Sequence, residues 1–313
     1  MITTISLNPS VDRTISVDNF VYGGLNRVLD VREDAGGKGI NVALAVSQLG
    51  LDSECIGFMF KNSAAIFEKK LIANGTVYDF VWCDGSARTN VKVLDRSAGV
   101  ITELNESGQR VTPEALERMT HMVLEHAENT DFLILSGSLP PQCPVDYYAQ
   151  LISAVEGLGC RCVLDADGER LKMGVAAKPF LIKPNRYELQ LMADRPLPTL
   201  QDIRDAAMRY IDMGVAVVAV SLGEDGAMIT DGSESLYAPR MDVAVKSTVG
   251  AGDSMIAGLV SGFLGENSLE ESFRMGVACA TAKCMTEGAK VFERATYRAL
   301  YDMVQIERIS ACM

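Results

Sequence analysis

Between residues 112 and 220 the chain alternates short apolar runs with longer stretches of helical character, and this alternation limits the possible folds more than any other feature. The runs 132–135, 162–164, 180–182 and 215–220 are too short for helices and apolar at every position, the pattern of strands buried on both faces. A helix is predicted over 113–128, and helices fill the remaining gaps. Strands that alternate with helices lie mostly parallel, since each return to the same end of a sheet needs a crossover, and the crossovers cover both faces. The expected class is therefore α/β in three layers around a mostly parallel central sheet. Ligands of such sheets bind beyond the carboxyl ends of the strands, so motifs at those ends carry most of the functional information.

Residues before 112 read differently. Residues 2–7 form a short apolar strand that stops at Asn8-Pro9-Ser10. Residues 13–17 alternate in polarity, and 26–32 is a second β-like run after Gly23-Gly24; both suit half-exposed strands. Residues 90–95 and 100–104 flank Ser97-Ala98-Gly99 as a hairpin, with Lys92 and Glu103 among apolar neighbours, and belong with the early strands in one exposed sheet. Ala35-Gly36-Gly37-Lys38-Gly39 leads into a small, apolar helix over 40–49 with Gly50 as C-cap. At 313 residues there is room for two domains of roughly 150 each, but no repeat, low-complexity tract or Pro/Ser-rich linker divides the chain. One domain over 1–313 is expected, with 12–34 and 88–104 contributing the strands of a small β-sheet lid.

Charge and composition exclude several functions. Lys and Arg (29) against Asp and Glu (41) leave −12, which repels a nucleic-acid backbone or an anionic membrane surface, so neither is an expected partner. A small phosphorylated ligand remains compatible, because a few local cations and main-chain amides hold it. No apolar run approaches the roughly 18 residues of a membrane span and residues 1–7 lack a signal-peptide pattern, so a cytoplasmic protein is expected. His121 and His126 are five apart and off one helix face, which argues against paired metal ligands and Ser-His-Asp chemistry. The eight cysteines, Cys312 among them, contain no C-x-x-C pair and read as reduced thiols, most of them in the core.

The strongest local signal is Ser247-Thr248-Val249-Gly250-Ala251-Gly252-Asp253-Ser254, followed by Ile256, Leu259, Val260 and Phe263 at helical spacing. A glycine loop entering a helix lets amides at Gly250, Ala251 and Gly252 converge on an anion, and the helix dipole adds positive potential there. Asp253 in the first turn can accept a proton from a hydroxyl held beside that anion, which supplies both halves of phosphoryl transfer. The plain alternative is a tight turn with Asp253 complementing the dipole. A P-loop is excluded because Gly37-Lys38 is followed by Gly39, and a dinucleotide fingerprint because Gly250-x-Gly252 reaches Met255 where a third glycine belongs.

Four further groups accompany it. Gly36-Gly37-Lys38-Gly39-Ile40-Asn41 with Asp12 suits a polyol: Asp12 and Asn41 pair with vicinal hydroxyls, Gly37 permits close approach and Lys38 neutralises phosphate, unless the glycines are only a hinge. Lys183-Pro184-Asn185-Arg186-Tyr187-Glu188 follows an apolar strand; Asn185 and Glu188 have capping-box spacing, which competes with a role in orienting a magnesium nucleotide, Glu188 acting on the metal through water. Ser221-Leu222-Gly223-Glu224-Asp225-Gly226 ends the 215–220 strand as a turn or a nucleotide-contacting loop. Arg27 and Arg88 in the lid strands, with Ser138 in Ser136-Gly137-Ser138-Leu139-Pro140, can clamp a sugar phosphate, or be solvated surface residues.

Taken in order, N-P-S-V-D (8–12), G-G-K-G-I-N (36–41), A-R-T-N-V-K (87–92), S-G-S-L-P-P (136–141), K-P-N-x-x-E (183–188), S-L-G-x-x-G (221–226) and V-G-A-G-D-S (249–254) resemble the ribokinase-like PfkB carbohydrate kinases over nearly the whole chain. Within them the chain looks most like the 1-phosphofructokinase and tagatose-6-phosphate kinase branch. The resemblance implies the ribokinase-like three-layer fold and transfer from ATP, with Mg²⁺, to a ketohexose phosphate, fructose 1-phosphate first and tagatose 6-phosphate as the alternative. It also implies Asp253 as base, 250–252 as the anion hole, and Asp12, Arg27, Gly37, Asn41, Arg88, Asn90 and Ser138 at the substrate. Homodimerisation through the lid sheets is a further implication. A non-catalytic nucleotide-sensing module is the rival from another class. The chain departs from the branch at Gln142, where glycine is common, and over 279–290, which aligns with no adenine contact.

Overall fold

In the computed structural model, which describes residues 1–309, the first apolar run becomes β1 (Ile2–Ser6), buried at every position. The proline turn after it sends the chain outward into the antiparallel pair β2 (Ser10–Val17) and β3 (Asp30–Gly36). It returns through α1 (Lys38–Leu49), bounded by Gly37 and Gly50 at φ 124° and 86°. Next come β4 (Ser53–Phe60), α2 (Ala64–Ala73), β5 (Val77–Cys83) and the hairpin of β6 (Arg88–Asp95) and β7 (Val100–Asn105). The alternation expected from the sequence then runs through α3 (Pro113–Ala127), β8 (Phe132–Ser136), α4 (Tyr147–Ala154), β9 (Arg161–Asp165), α5 (Gly168–Ala176) and β10 (Leu181–Ile182). It continues with α6 (Arg186–Ala193), α7 (Leu200–Asp212) and β11 (Val217–Ser221). The short strands β12 (Ala227–Thr230) and β13 (Ser235–Ala238) precede α8 (Ala251–Leu264), α9 (Leu269–Cys284), α10 (Arg294–Tyr301) and β14 (Glu307–Arg308).

The larger, ten-stranded sheet has the order β14-β13-β12-β11-β10-β9-β8-β1-β4-β5, parallel from β5 to β11 and antiparallel beyond. Strand alternation divides its core in two: Leu133 and Leu135 of β8 face one buried cluster, Phe132 and Ile134 the other, where α8 and α9 pack. This is the three-layer α/β arrangement expected. The four-stranded sheet β3-β2-β6-β7 is separate, held together by parallel pairing of β2 with β6 that sets Asp12 opposite Asn90.

The first turn of α1 presses on the end of β1, and an ideal Cβ at Gly39 would lie 2.4 Å from the Ile5 carbonyl oxygen. Backbone cannot yield as a side-chain tip does. Gly39→Ala is therefore expected to lower unfolding free energy by about 3 kcal/mol or more, read as a lower denaturant midpoint at unchanged m-value.

Several expectations need correction. The run 26–32 is not a strand throughout: β3 begins only at Asp30, and Arg27 lies in an exposed connection rather than on a lid strand. The reason is Asn26, whose side chain accepts from Val21 N–H (2.8 Å) and donates to Val21 O (2.9 Å), closing a turn that competes with the ladder. The run 215–220 likewise becomes a strand only from Val217. Cys55, Cys162 and Cys279 are buried free thiols, but Cys83, Cys143, Cys160 and Cys284 are half-buried, and Cys312 lies outside the described residues. Gln142 adopts φ 69°, so the loop keeps a conformation suited to glycine at some local strain. His126 contacts Glu54 (2.8 Å) and Asp79 (3.4 Å) in a structural network, and no helix among the described residues is long and apolar enough to cross a membrane.

Candidate active site

The loop 247–250 ends at Gly250, the N-cap of α8, whose φ of 79° lies where a side chain is strained. The amide of Ala251 turns back to Thr248 O (3.2 Å), which takes it out of the anion hole expected at 250–252, and that of Ser254 bonds Gly250 O (3.0 Å), which leaves the amides of Gly252 and Asp253 at the open end of the helix. The helix dipole makes that end electropositive, so the geometry suits an anion.

Asp253 is buried there, and Asn41 Nδ2 of α1 donates to its Oδ2 at 2.8 Å. Burial raises its pKa, as does the charge of Asp165, against opposition from Lys38, Lys183 and the Asn41 hydrogen bond. A carboxylate moved toward neutrality is a stronger base than a solvated one.

Asp165, at the carboxyl end of β9, collects both nearby lysines: Lys38 Nζ is 3.1 Å from Oδ2 and Lys183 Nζ 3.4 Å from Oδ1. Burial alone would push its pKa up, but the two ammonium groups hold it down. Burial would likewise lower the pKa of Lys38, but Asp165, Asp253 and Glu188 raise it. Lys183 Nζ lies 3.0 Å from where a Gly252 Cβ would stand, so an ammonium group rests against the open helix end and glycine keeps the space free.

Asn185 takes up the capping role its spacing allowed. It caps α6 in a complete box, accepting from Glu188 N–H (2.8 Å) while Glu188 Oε2 accepts from Asn185 N–H (2.8 Å). It also lines a cavity of about 550 Å³ with Ser221, Gly223, Gly226 and Gly252 and the apolar Val243, Val245 and Val277. The cavity thus combines part of the anion loop with apolar surface that suits a flat ring. Among the described residues no trio of His, Cys, Asp or Glu is placed to hold a metal ion.

The smaller sheet presents a polar cluster. Asp12 accepts from Ser10 Oγ (3.0 Å), Asn90 Nδ2 (3.1 Å) and Lys92 Nζ (2.9 Å). Arg88 donates to Asn8 O (3.2 Å) and Glu106 O (3.1 Å), and Asn8 Nδ2 donates to Ser138 Oγ (3.0 Å), linking this sheet to the end of β8. The Asn8 and Asn90 Oδ1 atoms are buried without partners, as acceptors for hydroxyl donors would be. The fold thus gathers Lys38, Asn41, Lys183 and Asp253 into one cluster, and Asp12, Asn90, Arg88 and Ser138 into another. Arg27 stays exposed and joins neither. Sequence reading overlooked Asp165 and gave Lys92 no site role; the first sits directly after an apolar run, where the strand-end rule would have found it.

Comparison with known proteins places these features in context. The profile described as pfkB family carbohydrate kinase matches residues 5–294. A 1-phosphofructokinase of Rhodobacter capsulatus is 37% identical over 278 residues, 88% of either chain. That of Escherichia coli K12 is 34% identical over 311 residues, 98% of each. Among solved structures, phosphofructokinase-2 from Escherichia coli in complex with substrates and products superposes with a TM-score of 0.92 at 30% identity, covering 97% of this chain and 99% of that one.

Proposed function

Since this chain belongs to the pfkB family of carbohydrate kinases, we propose that it transfers the γ-phosphoryl group of ATP to the 6-hydroxyl of fructose 1-phosphate, releasing ADP and fructose 1,6-bisphosphate. The observation that carries this reading is the buried Asp253 carboxylate beside two open amides and two ammonium groups, between an apolar cavity and a polar sheet.

The adenine ring occupies the apolar part of the cavity, and the phosphates follow Asn185 and the 221–226 loop toward Gly252. Asp12, Asn41 and Asn90 hold the sugar hydroxyls, with Gly37 and Ser138 beside them. Arg88 neutralises the sugar's phosphate, and Arg27 contributes only when the exposed 18–29 connection folds inward. Asp253 removes the proton of the attacking hydroxyl as its oxygen bonds to the γ-phosphorus and the bridging bond to ADP breaks. Charge gathering on the transferred group meets the amides of Gly252 and Asp253 and the ammonium groups of Lys183 and Lys38.

Glu188, with one carboxylate oxygen engaged in capping and the other not, fits an ion held chiefly by phosphates and water. Bound Mg²⁺ would supply neutralisation of the phosphate charge. The smaller sheet acts as a lid that keeps water from the γ-phosphoryl group. The smaller sheet and its 18–29 connection expose Tyr22 (97%), Leu25 (84%), Ile101 and Leu104, which supports homodimerisation through the lids. Use of ATP supports a cytoplasmic reaction.

A panel of fructose 1-phosphate, tagatose 6-phosphate, fructose 6-phosphate and fructose, read by ADP release, is expected to give the highest kcat/KM with fructose 1-phosphate. Preference for tagatose 6-phosphate would reassign the substrate, and preference for free fructose would remove the role of Arg88. ATP binding without turnover on any sugar would mark a nucleotide sensor.

A further inference from the structure

Lys283, in the last turn of α9, is a buried ammonium for which the reaction above has no use. Its Nζ donates to Gly288 O (2.8 Å) and Thr286 Oγ1 (3.1 Å), while Thr286 Oγ1 itself donates to the Lys283 and Lys290 carbonyls (2.8 and 3.1 Å). A lysine in this position of a helix ordinarily reaches water; this one is folded into a cage made by the turn that follows. The cage lies directly behind the anion loop: Lys283 Cε is 3.2 Å from where a Gly250 Cβ would stand, and Lys283, Gly250, Asn41 and Ser254 border a small cavity of about 10 Å³. The same helix end accepts the amides of Lys246 (2.8 Å) and Ser247 (3.1 Å) on Cys284 O, so the ammonium and the loop share one rigid frame.

We infer that Lys283 is a positioning residue, a cation built into the chain that fixes positive charge behind the Gly250 loop and holds its amides toward the transferred phosphoryl group. The inference rests on the kinase reading. An ammonium at the back of the hole adds to the helix dipole without touching substrate, and its cage couples the 286–290 turn to the loop. The charged and titratable groups around it are Asp253 of α8, Lys70 of α2, Lys92 of β6, Cys284 beside it and Lys290 in the turn. Burial, more than the neighbouring lysines, pushes its pKa down to about 8, against the pull of Asp253. The charge is therefore full at lower pH and lost as pH rises through that value.

Lys283→Met and Lys283→Arg, assayed with ATP and fructose 1-phosphate beside the wild type, test this. Lys283→Met is expected to lower kcat about 10–100-fold with the sugar KM little changed, and ammonium or potassium ions should restore about tenfold by entering the emptied cage. The wild type should lose kcat as pH rises through about 8, and Lys283→Arg, which does not deprotonate, should carry that loss to higher pH. A folded Lys283→Met with wild-type kcat, or one impaired only in thermal midpoint, overturns the inference. If Lys283→Met fails to fold, the pH profiles decide alone: a limb near 8 that Lys283→Arg moves supports it, and one that does not move, or no limb, overturns it. A wild type inactive on fructose 1-phosphate would instead count against the kinase reading.

Discussion

Asp253→Asn is expected to reduce kcat by about 10²–10⁴-fold while leaving ATP affinity nearly unchanged. Asparagine keeps the size and the contact with Asn41, which now approaches at 2.8 Å, but it cannot take a proton. Two accompanying results separate chemistry from folding. Because burial raises the Asp253 pKa, the folded state binds this proton more tightly than the unfolded chain does, so the group stabilises only at low pH and its ionisation costs stability at neutral pH. Asp253→Asn is thus expected to retain or raise the thermal midpoint. For the same reason wild-type kcat/KM should fall as pH drops through a value above the ordinary carboxylate range, since the base must be ionised. Turnover within a few-fold of wild type would remove Asp253 from its role.

Gly250→Ala should have the next largest effect, a fall in kcat of about 10²-fold at nearly constant sugar KM. A methyl group at φ 79° costs about 1–2 kcal/mol, and it would meet Lys283 Cε at 3.2 Å, so loop and lysine must shift together. The amides of Gly252 and Asp253 would turn with them, whereas Asp12 and Asn90 lie on the other sheet and would not. Stopped assays with saturating ATP and varied sugar distinguish these terms. A wild-type kcat would mean that loop geometry does not limit the chemistry.

The glycine loop before α8 was legible because its residues are contiguous: Gly250, Gly252 and Asp253 and the apolar helix behind them belong to one segment. The central strands were legible because burial on both faces leaves uninterrupted apolar runs. Asn26 defeated the reading of 26–32, since a side chain that closes its own turn leaves no trace in polarity pattern. The edge formed by β12, β13 and β14 was hidden because short antiparallel strands at a sheet margin carry little periodicity. The apolar wall of the cavity escaped for a different reason: Val243, Val245 and Val277 come from separate segments, and each reads alone as ordinary core or loop. Lys283 likewise looks like a solvated helix end until the turn at 286–290 closes over it.

The most direct measurement is a crystal structure with fructose 1-phosphate and a non-hydrolysable ATP analogue bound together. The expected result has an Asp253 carboxylate oxygen within about 3 Å of the sugar's 6-hydroxyl and the γ-phosphate on the amides of Gly252 and Asp253. A terminal phosphate seated away from the start of α8, or a 6-hydroxyl facing another base, would contradict it.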